Sequence, residues 1–126
     1  MSVEVFALRF GLAEYPASWI FEDGGSEPQQ LALHVFVLRG PNRTVLVDTG
    51  FVDPALARRW RVQEFSPVAD LLGRIGMDPA SITDVILTHG HWDHVGGVRD
   101  FLHARLWISR DELETMKRAV QAQGAG

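Results

Sequence analysis

Residues 84–97 read Asp-Val-Ile-Leu-Thr-His-Gly-His-Trp-Asp-His-Val-Gly-Gly. The apolar start of this stretch predicts a short buried strand. Three imidazoles and one carboxylate then fall within six residues, at His89, His91, Asp93 and His94. Neutral imidazole and carboxylate are the ligands that zinc and comparable transition ions take. A strand that ends and releases such side chains into a tight turn aims them at one point, so this stretch predicts a metal site.

The spacing of these side chains differs from that of a metal-binding helix, which places two histidines four residues apart. His89 and His91 are two residues apart, so in extended backbone their side chains point the same way. Asp93 and His94 are adjacent and diverge, which suits them to a second ion. The alternative is a solvent-exposed histidine-rich loop. The density of ligand-type residues directly after a strand disfavours that alternative.

The composition is that of one ordinary globular domain. The chain has 126 residues, 46% of them hydrophobic and 22% charged, with a formal net charge of -4. This acidic balance argues against a nucleic-acid partner. Cysteine is absent, which excludes disulfides, thiolate zinc ligands and a cysteine nucleophile. The N-terminus lacks a signal-peptide pattern and no apolar run is long enough to span a membrane. We therefore expect a cytoplasmic protein with no membrane partner.

The rest of the sequence predicts an α/β order of elements. Strands are predicted at 3–10, 31–39, 44–47, 84–88 and 104–108, and helices at 53–60, after Ser66-Pro67, at 95–101 and after Ser109, with a loop at 11–30. The helix-then-strand order before the histidines predicts a layered sheet with its site at the carboxyl ends of the strands. The sequence of residues 109–112 predicts a capping box. Residues 121–126 have no core-forming pattern and predict a frayed tail.

Several single residues carry two interpretations. The strand 31–39 is nearly all apolar, as in a central strand covered on both faces, and His34 within it favours a hydrogen-bonded core residue over a ligand. The aromatic cluster 19–21 favours core packing over a substrate rim.

Asp48 ends the strand 44–47, where a carboxylate is suited to accept a hydrogen bond from a metal ligand or from the loop backbone. The alternative for Asp48 is a turn-forming aspartate that bonds its own backbone.

The motif His89-x-His91-x-Asp93-His94 resembles the metal-binding signature of the metallo-β-lactamase superfamily, and the turn 47–50, Val-Asp-Thr-Gly, also fits that family. The phrases at 37–44 and 48–51 look most like N-acyl homoserine lactonase-type hydrolases. The resemblance extends from the first strand to about Leu113. It implies an α/β fold that is half of the family's αβ/βα sandwich, a mixed sheet with helices on one side, as one partial domain over residues 1–126.

The resemblance implies a site with two zinc ions, or other divalent metals. His89 and His91 would hold the first ion, and Asp93 and His94 the second, with Asp48 supporting them. The implied reaction is the opening of a small-molecule lactone or related ester by a metal-bound hydroxide, with Asp93 passing a proton to the leaving group. Glyoxalase II-like thioester hydrolysis and β-lactam hydrolysis are alternatives. Trp92 either lines the site or packs in the core.

The family's later motifs supply another histidine, a bridging aspartate and a final histidine, and these have no counterpart here. After His94 the only histidine is His103, interpreted as a surface residue, and Asp100 and Asp111 lack the right context. Whether the chain is an enzyme therefore stays open. It is a piece of a longer hydrolase, a short protein completed by another chain, or a non-catalytic half-domain that folds alone and binds metal weakly.

A half-sandwich leaves one face of its sheet uncovered. Such a face exposes more contiguous apolar surface than monomers usually tolerate. We therefore expect the chain to associate, either as a homodimer related by a two-fold axis or with a complementing chain.

Overall fold

A five-stranded mixed sheet organises residues 2–124, which the computed structural model describes. The strands are β1 (Glu4–Pro16), β2 (Pro28–Arg39), β3 (Thr44–Val47), β4 (Asp84–Leu87) and β5 (Arg105–Ile108), and they lie side by side in that order. The first three strands pair antiparallel, and β3, β4 and β5 pair parallel. The helices are α1 (Pro54–Arg59), α2 (Val68–Arg74), α3 (Trp92–Val95) and α4 (Arg110–Gly124), with 3-10 turns at Ala17–Trp19, Pro79–Ser81 and Val98–Phe101.

The core lies between one face of the sheet and the helices α1 and α2. Alternate strand residues point into it because successive side chains of a strand face opposite ways. The buried members of this core include Leu8, Phe10, Val35, Val37, Leu46, Val85 and Leu87 from the sheet and Ala57, Val68 and Leu72 from the two helices. The predicted mixed sheet with helices on one side is confirmed.

The other face of the sheet is open. Cross-strand pairing places Val5, Leu38 and Val45 in one row and Ala7, Phe36, Val47, Ile86 and Trp107 in the next. Phe36, Ile86 and Trp107 are exposed large hydrophobic residues, and Trp107 keeps 47% of its surface accessible. The prediction that strand 31–39 is covered on both faces is therefore wrong, because only its odd-numbered side chains point into the core.

Two further predictions of core packing are wrong. His34 is exposed on the open face, with its Nδ1 atom 3.2 Å from the carbonyl oxygen of Ala32. The strand alternation that buries Val35 necessarily turns its neighbour His34 outward. Trp19 and Phe21 are also exposed, and the Trp19 ring stacks on that of Tyr15 with 5.2 Å between centroids.

The predicted loop at 11–30 is too long. The hairpin ladder of β1 and β2 continues past the register shift between Arg9 and Gly11, and it ends with Pro16 opposite Pro28. The prolines lie at the strand ends, where a missing N–H is tolerated. The connecting loop is confined to residues 17–27.

The helices differ from prediction mainly at their ends. Asp53 caps α1 as predicted, accepting a hydrogen bond from the N–H of Ala55 at 2.9 Å. The predicted helix at 95–101 is replaced by two short pieces, α3 and the turn Val98–Phe101. The predicted tail at 121–126 is helical up to Gly124, and residues 125 and 126 lie outside the described residues. No helix between residues 2 and 124 is long and apolar enough to cross a membrane.

Asp84 lies at the start of β4 and is only 5% exposed. The indole N–H of Trp107 donates a hydrogen bond to its Oδ2 atom at 2.9 Å, and the Thr83 hydroxyl lies 2.7 Å from its Oδ1 atom. These hydrogen bonds, first from Trp107 and then from Thr83, hold the pKa of Asp84 below its ordinary value of 3.8. The ionised carboxylate is therefore favoured in the folded chain.

We expect the substitution Asp84→Asn to lower the free energy of unfolding at neutral pH and to have less effect in acid. The pKa of Asp84 is lower in the folded than in the unfolded chain, so ionisation of Asp84 stabilises the fold at pH values above 3.8. That contribution is lost as the pH falls through the folded-state pKa. Urea unfolding of both chains from neutral to strongly acid pH measures this. A stability difference that stays constant with pH would contradict the prediction.

Candidate metal centre

The candidate ligands follow β4 at the carboxyl edge of the sheet. Strand β4 ends at Leu87, and His91 is the N-cap residue of α3 with an extended backbone, φ -67° and ψ 148°. His89 and His91 therefore precede the helix, whereas Asp93 and His94 lie within it. The N–H of His94 donates to the carbonyl oxygen of His91 at 2.9 Å and closes the turn. The four side chains thus come from the short segment after β4 and from the helical turn that follows it.

The structure brings the predicted residues together. The ring centroid of His89 is 4.5 Å from that of His91 and 3.9 Å from that of His94. The Oδ1 atom of Asp93 is 3.8 Å from the Nε2 atom of His94. Among residues 2–124, however, no group of three or more His, Cys, Asp or Glu side chains is arranged so that it could hold a metal ion. Their role as metal ligands stays a prediction.

Asp48 joins the end of β3 to this cluster. Its carboxylate accepts hydrogen bonds from the Thr88 N–H at 2.9 Å and the Thr88 hydroxyl at 2.7 Å, and it lies 2.8 Å from the Nδ1 atom of His94. Its backbone is left-handed, with φ 65°, which is uncommon for a residue other than glycine. Such a conformation persists where surrounding contacts hold it. Asp48 thus contacts both a candidate ligand and the loop backbone.

The same hydrogen bonds orient two of the imidazoles through their Nδ1 atoms. The Nδ1 atom of His94 faces the Asp48 carboxylate, an acceptor, and in the neutral imidazole that donates there Nε2 is the nitrogen that can bind a metal. The Thr88 hydroxyl gives its single proton to Asp48, so it accepts from His89 Nδ1, 2.9 Å away. An imidazole held through one nitrogen and free at the other is the usual state of a metal-ligating histidine. The donor chemistry therefore fits a zinc-type ion.

Thr49 holds the loop from its other end. It is fully buried, and both its N–H and its hydroxyl donate to the carbonyl oxygen of His94, at 2.8 and 2.7 Å. Its hydroxyl also accepts from the N–H of Gly97 at 3.1 Å. A Cβ atom at Gly97 would collide with the Thr49 carbonyl oxygen, so only glycine fits there. The turn 47–50 therefore fastens the loop near both of its ends.

Sequence reasoning missed Thr49, Thr88 and Glu112. Thr88 lies between the strand and the histidines, and Thr49 lies in the turn that fits the family. Their positions in the sequence were the only signal that they contact the site. For Glu112, the sequence predicts a side chain that completes a capping box. Its N–H donates to the Ser109 hydroxyl at 3.2 Å, but its carboxylate accepts from Gly90 instead of from the helix start. Only the tertiary contact reveals this.

An aromatic cleft of about 370 Å³ adjoins His91 and Asp93, and its other lining residues are Tyr15, Trp19, Ile20, Leu31, Leu33, Trp60 and Trp92. Trp92 stacks on Trp60 with 5.4 Å between centroids, so it both packs and lines the cleft. Burial raises the pKa of Tyr15, and the charge of Asp93 adds to that rise. The Tyr15 hydroxyl therefore stays protonated at neutral pH and donates to the carbonyl oxygen of Trp60 at 2.6 Å.

We expect Asp48→Asn to lower the free energy of unfolding by about 1–3 kcal/mol, because a carboxamide presents one acceptor oxygen where two now accept three donors. Asp53→Asn is the matched control: Asp53 accepts one hydrogen bond at an exposed helix start, and asparagine caps helices as well as aspartate. Urea unfolding of both variants measures the difference. Equal losses in the two variants would contradict a special role for Asp48.

Comparison with known proteins gives one family match and several relatives. The family model described as the metallo-beta-lactamase superfamily matches residues 30–109. The "Metallo-beta-lactamase domain-containing protein 1" of Xenopus laevis is 38% identical over 90 residues, which are 71% of this chain and 34% of that protein.

Two solved structures extend the comparison. An N-acyl homoserine lactone hydrolase with the product N-hexanoyl-L-homoserine bound at its catalytic metal centre has a TM-score of 0.78 and 21% identity, covering 90% of this chain and 52% of that one. A dizinc quorum-quenching lactonase with the same kind of product has a TM-score of 0.68 and 23% identity, covering 90% and 44%. At sequence identities this low, the similarity to these two structures establishes a shared fold and nothing about activity. The chain spans about half the length of these solved relatives or less.

Proposed function

Because this chain belongs to the metallo-β-lactamase superfamily, we propose that it is the ligand-bearing half of a metal-dependent hydrolase that opens a lactone or a related ester. One observation carries the proposal. At the carboxyl end of β4 the ring of His89 lies beside those of His91 and His94, with 4.5 and 3.9 Å between centroids, and the Asp93 carboxylate lies 3.8 Å from His94. The lactone hydrolase with product at its metal centre supports the reaction class.

In this proposal His89 and His91 hold one divalent ion, and Asp93 and His94 hold the other. Zinc is the proposed metal, supported by the imidazole-rich donor set and by the dizinc lactonase of the same fold. Divalent ions, when bound, lower the pKa of water and polarise a carbonyl oxygen. Asp48 and Thr88 keep the two imidazoles turned with Nε2 free. In the same proposal Asp93 passes a proton to the leaving group.

The aromatic cleft beside His91 and Asp93 supports an ester with an apolar substituent. Its lining includes the aromatic side chains of Tyr15, Trp19, Trp60 and Trp92, and ligand pockets lined by aromatic and hydrophobic side chains bind apolar groups. A small lactone with an acyl chain fits this chemistry. The lactone hydrolase relative holds a product with a hexanoyl group.

A second candidate is a non-catalytic domain that binds at most one ion. The observation that favours it is the supply of ligands. Catalytic zinc usually takes three protein ligands, whereas the cluster offers four ligand-type side chains for two ions, at His89, His91, Asp93 and His94. In this case the chain would fold and bind zinc weakly without turnover.

We expect His89→Ala and His94→Ala each to lower the amount of bound zinc, because each removes a proposed ligand of one ion. His103→Ala is the matched control, since His103 is an exposed histidine outside the cluster. Elemental analysis of purified, zinc-equilibrated chains gives the stoichiometry, and opening of N-hexanoyl homoserine lactone with and without chelator gives the activity. Two ions per chain favour the hydrolase, and one favours the non-catalytic domain. Equal zinc content in all four chains would overturn both.

We further propose that a second copy of this chain covers the open face of the sheet. Phe36, Ile86 and Trp107 expose apolar surface there, and a hollow of about 450 Å³ lies over β3, β4 and β5. A groove of about 310 Å³ runs from His34 and Phe36 to Asp93 and His94. A covering layer would therefore also reach the incomplete metal site. A complementing chain of different sequence is the alternative occupant.

We expect the wild-type chain to be a dimer and Ile86→Lys to convert it to a folded monomer, because a lysine in the middle of the apolar face opposes its burial. Ile86 is 39% exposed. Leu102→Lys is the control, since Leu102 is 70% exposed but lies in the turn before β5. Light scattering coupled to size exclusion measures the mass. A well-folded wild-type monomer would contradict the homodimer.

A further inference from the structure

Glu112 reaches from the last helix into the histidine loop. Its Oε1 atom accepts a hydrogen bond from the backbone N–H of Gly90 at 2.6 Å, and the residue is half-buried. Gly90 is the residue between His89 and His91, so this hydrogen bond holds the chain that joins two candidate ligands. A hydrogen bond to an ionised acceptor is roughly twice as strong as a neutral one. Glu112 is therefore well suited to restrain the loop.

The sheet topology explains how a residue so far along the chain reaches the loop. Strand β5 runs parallel to β4, with Ile108 paired to Leu87, so both strands end at the same edge. Helix α4 begins at Arg110, directly after β5, and its first turn stands beside the loop that follows β4. The Ser109 hydroxyl caps this helix by accepting from the N–H of Glu112. The Glu112 carboxylate does not cap the helix and accepts from the loop instead.

The approach between helix and loop is close. A Cβ atom at Gly90 would lie 2.6 Å from the Cγ atom of Met116 and 3.4 Å from the Oε1 atom of Glu112. Met116 is one turn after Glu112, so both side chains lie on the same side of α4. A side chain at position 90 would therefore have to displace Met116. Packing by Met116 and hydrogen bonding by Glu112 restrain the same peptide.

We infer that Glu112 is a positioning residue for the metal site. This inference rests on the proposed metal-binding function and adds a role that the family motif does not contain. The carboxylate fixes the backbone at Gly90 so that the rings of His89 and His91 keep their centroid separation of 4.5 Å. Without this acceptor, the loop samples other conformations, and metal binding has to order it first.

The test compares Glu112→Ala and Glu112→Gln with the wild-type chain. Zinc affinity is measured by competition with a chromophoric chelator, and the hydrogen exchange of the Gly90 amide is measured by NMR in the metal-free chain. We expect Glu112→Ala to weaken zinc binding about 10–100-fold, the range for residues that support metal ligands, and to speed the exchange of the Gly90 amide. We expect Glu112→Gln to restore most of both, because its carboxamide oxygen still accepts from Gly90.

Glu114→Ala is the matched control on the same helix. Glu114 is exposed and pairs only with Lys117 in the described contacts, at 3.7 Å, so its removal leaves both measurements unchanged. Unchanged zinc affinity and unchanged Gly90 exchange in Glu112→Ala would overturn the inference. Loss without rescue by glutamine would also overturn it. If the alanine variant fails to fold, the glutamine variant decides: its neutral oxygen accepts more weakly than a carboxylate, so the Gly90 amide exchanges faster than in the wild-type chain, and exchange equal to wild type overturns the inference. A wild-type chain that binds no zinc overturns the proposed function, whereas the exchange experiment still tests Glu112.

Discussion

The buried carboxylate of Asp48 is the constraint on which the candidate site depends. A buried charge must be satisfied by hydrogen bonds, and its donors are the Thr88 N–H, the Thr88 hydroxyl and the imidazole of His94. These bonds join the end of β3 to the loop after β4, two points far apart in the chain. Because the two strands are parallel neighbours, their carboxyl ends meet at one edge. The left-handed backbone at Asp48 is the local consequence of this arrangement.

The candidate site lies at the carboxyl edge of the sheet, within reach of both faces. One face carries the core with α1 and α2, and the other exposes apolar side chains. The groove between His34 and His94 connects that open face to the candidate ligands. The metal site with too few ligands and the open face of the sheet are therefore neighbours. A single covering layer could bury the apolar face and supply further ligands, so we propose that metal binding and association are linked.

Elements distant in the sequence frame the histidine loop on its remaining sides. The aromatic cleft combines Tyr15 and Trp19 from the first hairpin with Trp60 from the end of α1. On another side, Glu112 and Met116 of α4 press against Gly90. The loop is thus bounded by aromatic rings on one side and by a carboxylate that accepts from its backbone on another. This combination suits a site that orders its ligands before binding.

The sequence by itself determined the histidine motif, the strand 44–47, the cap of α1 and the position of Asp48 at a strand end. Those features depend on side chains within a few residues of one another, through alternation, capping and spacing. The tertiary structure alone decided how far the hairpin of β1 and β2 extends, that His34 faces outward, and that Glu112 bonds the loop instead of its own helix. Each of these depends on a partner many residues away, and local composition carries no information about which segment will lie beside it.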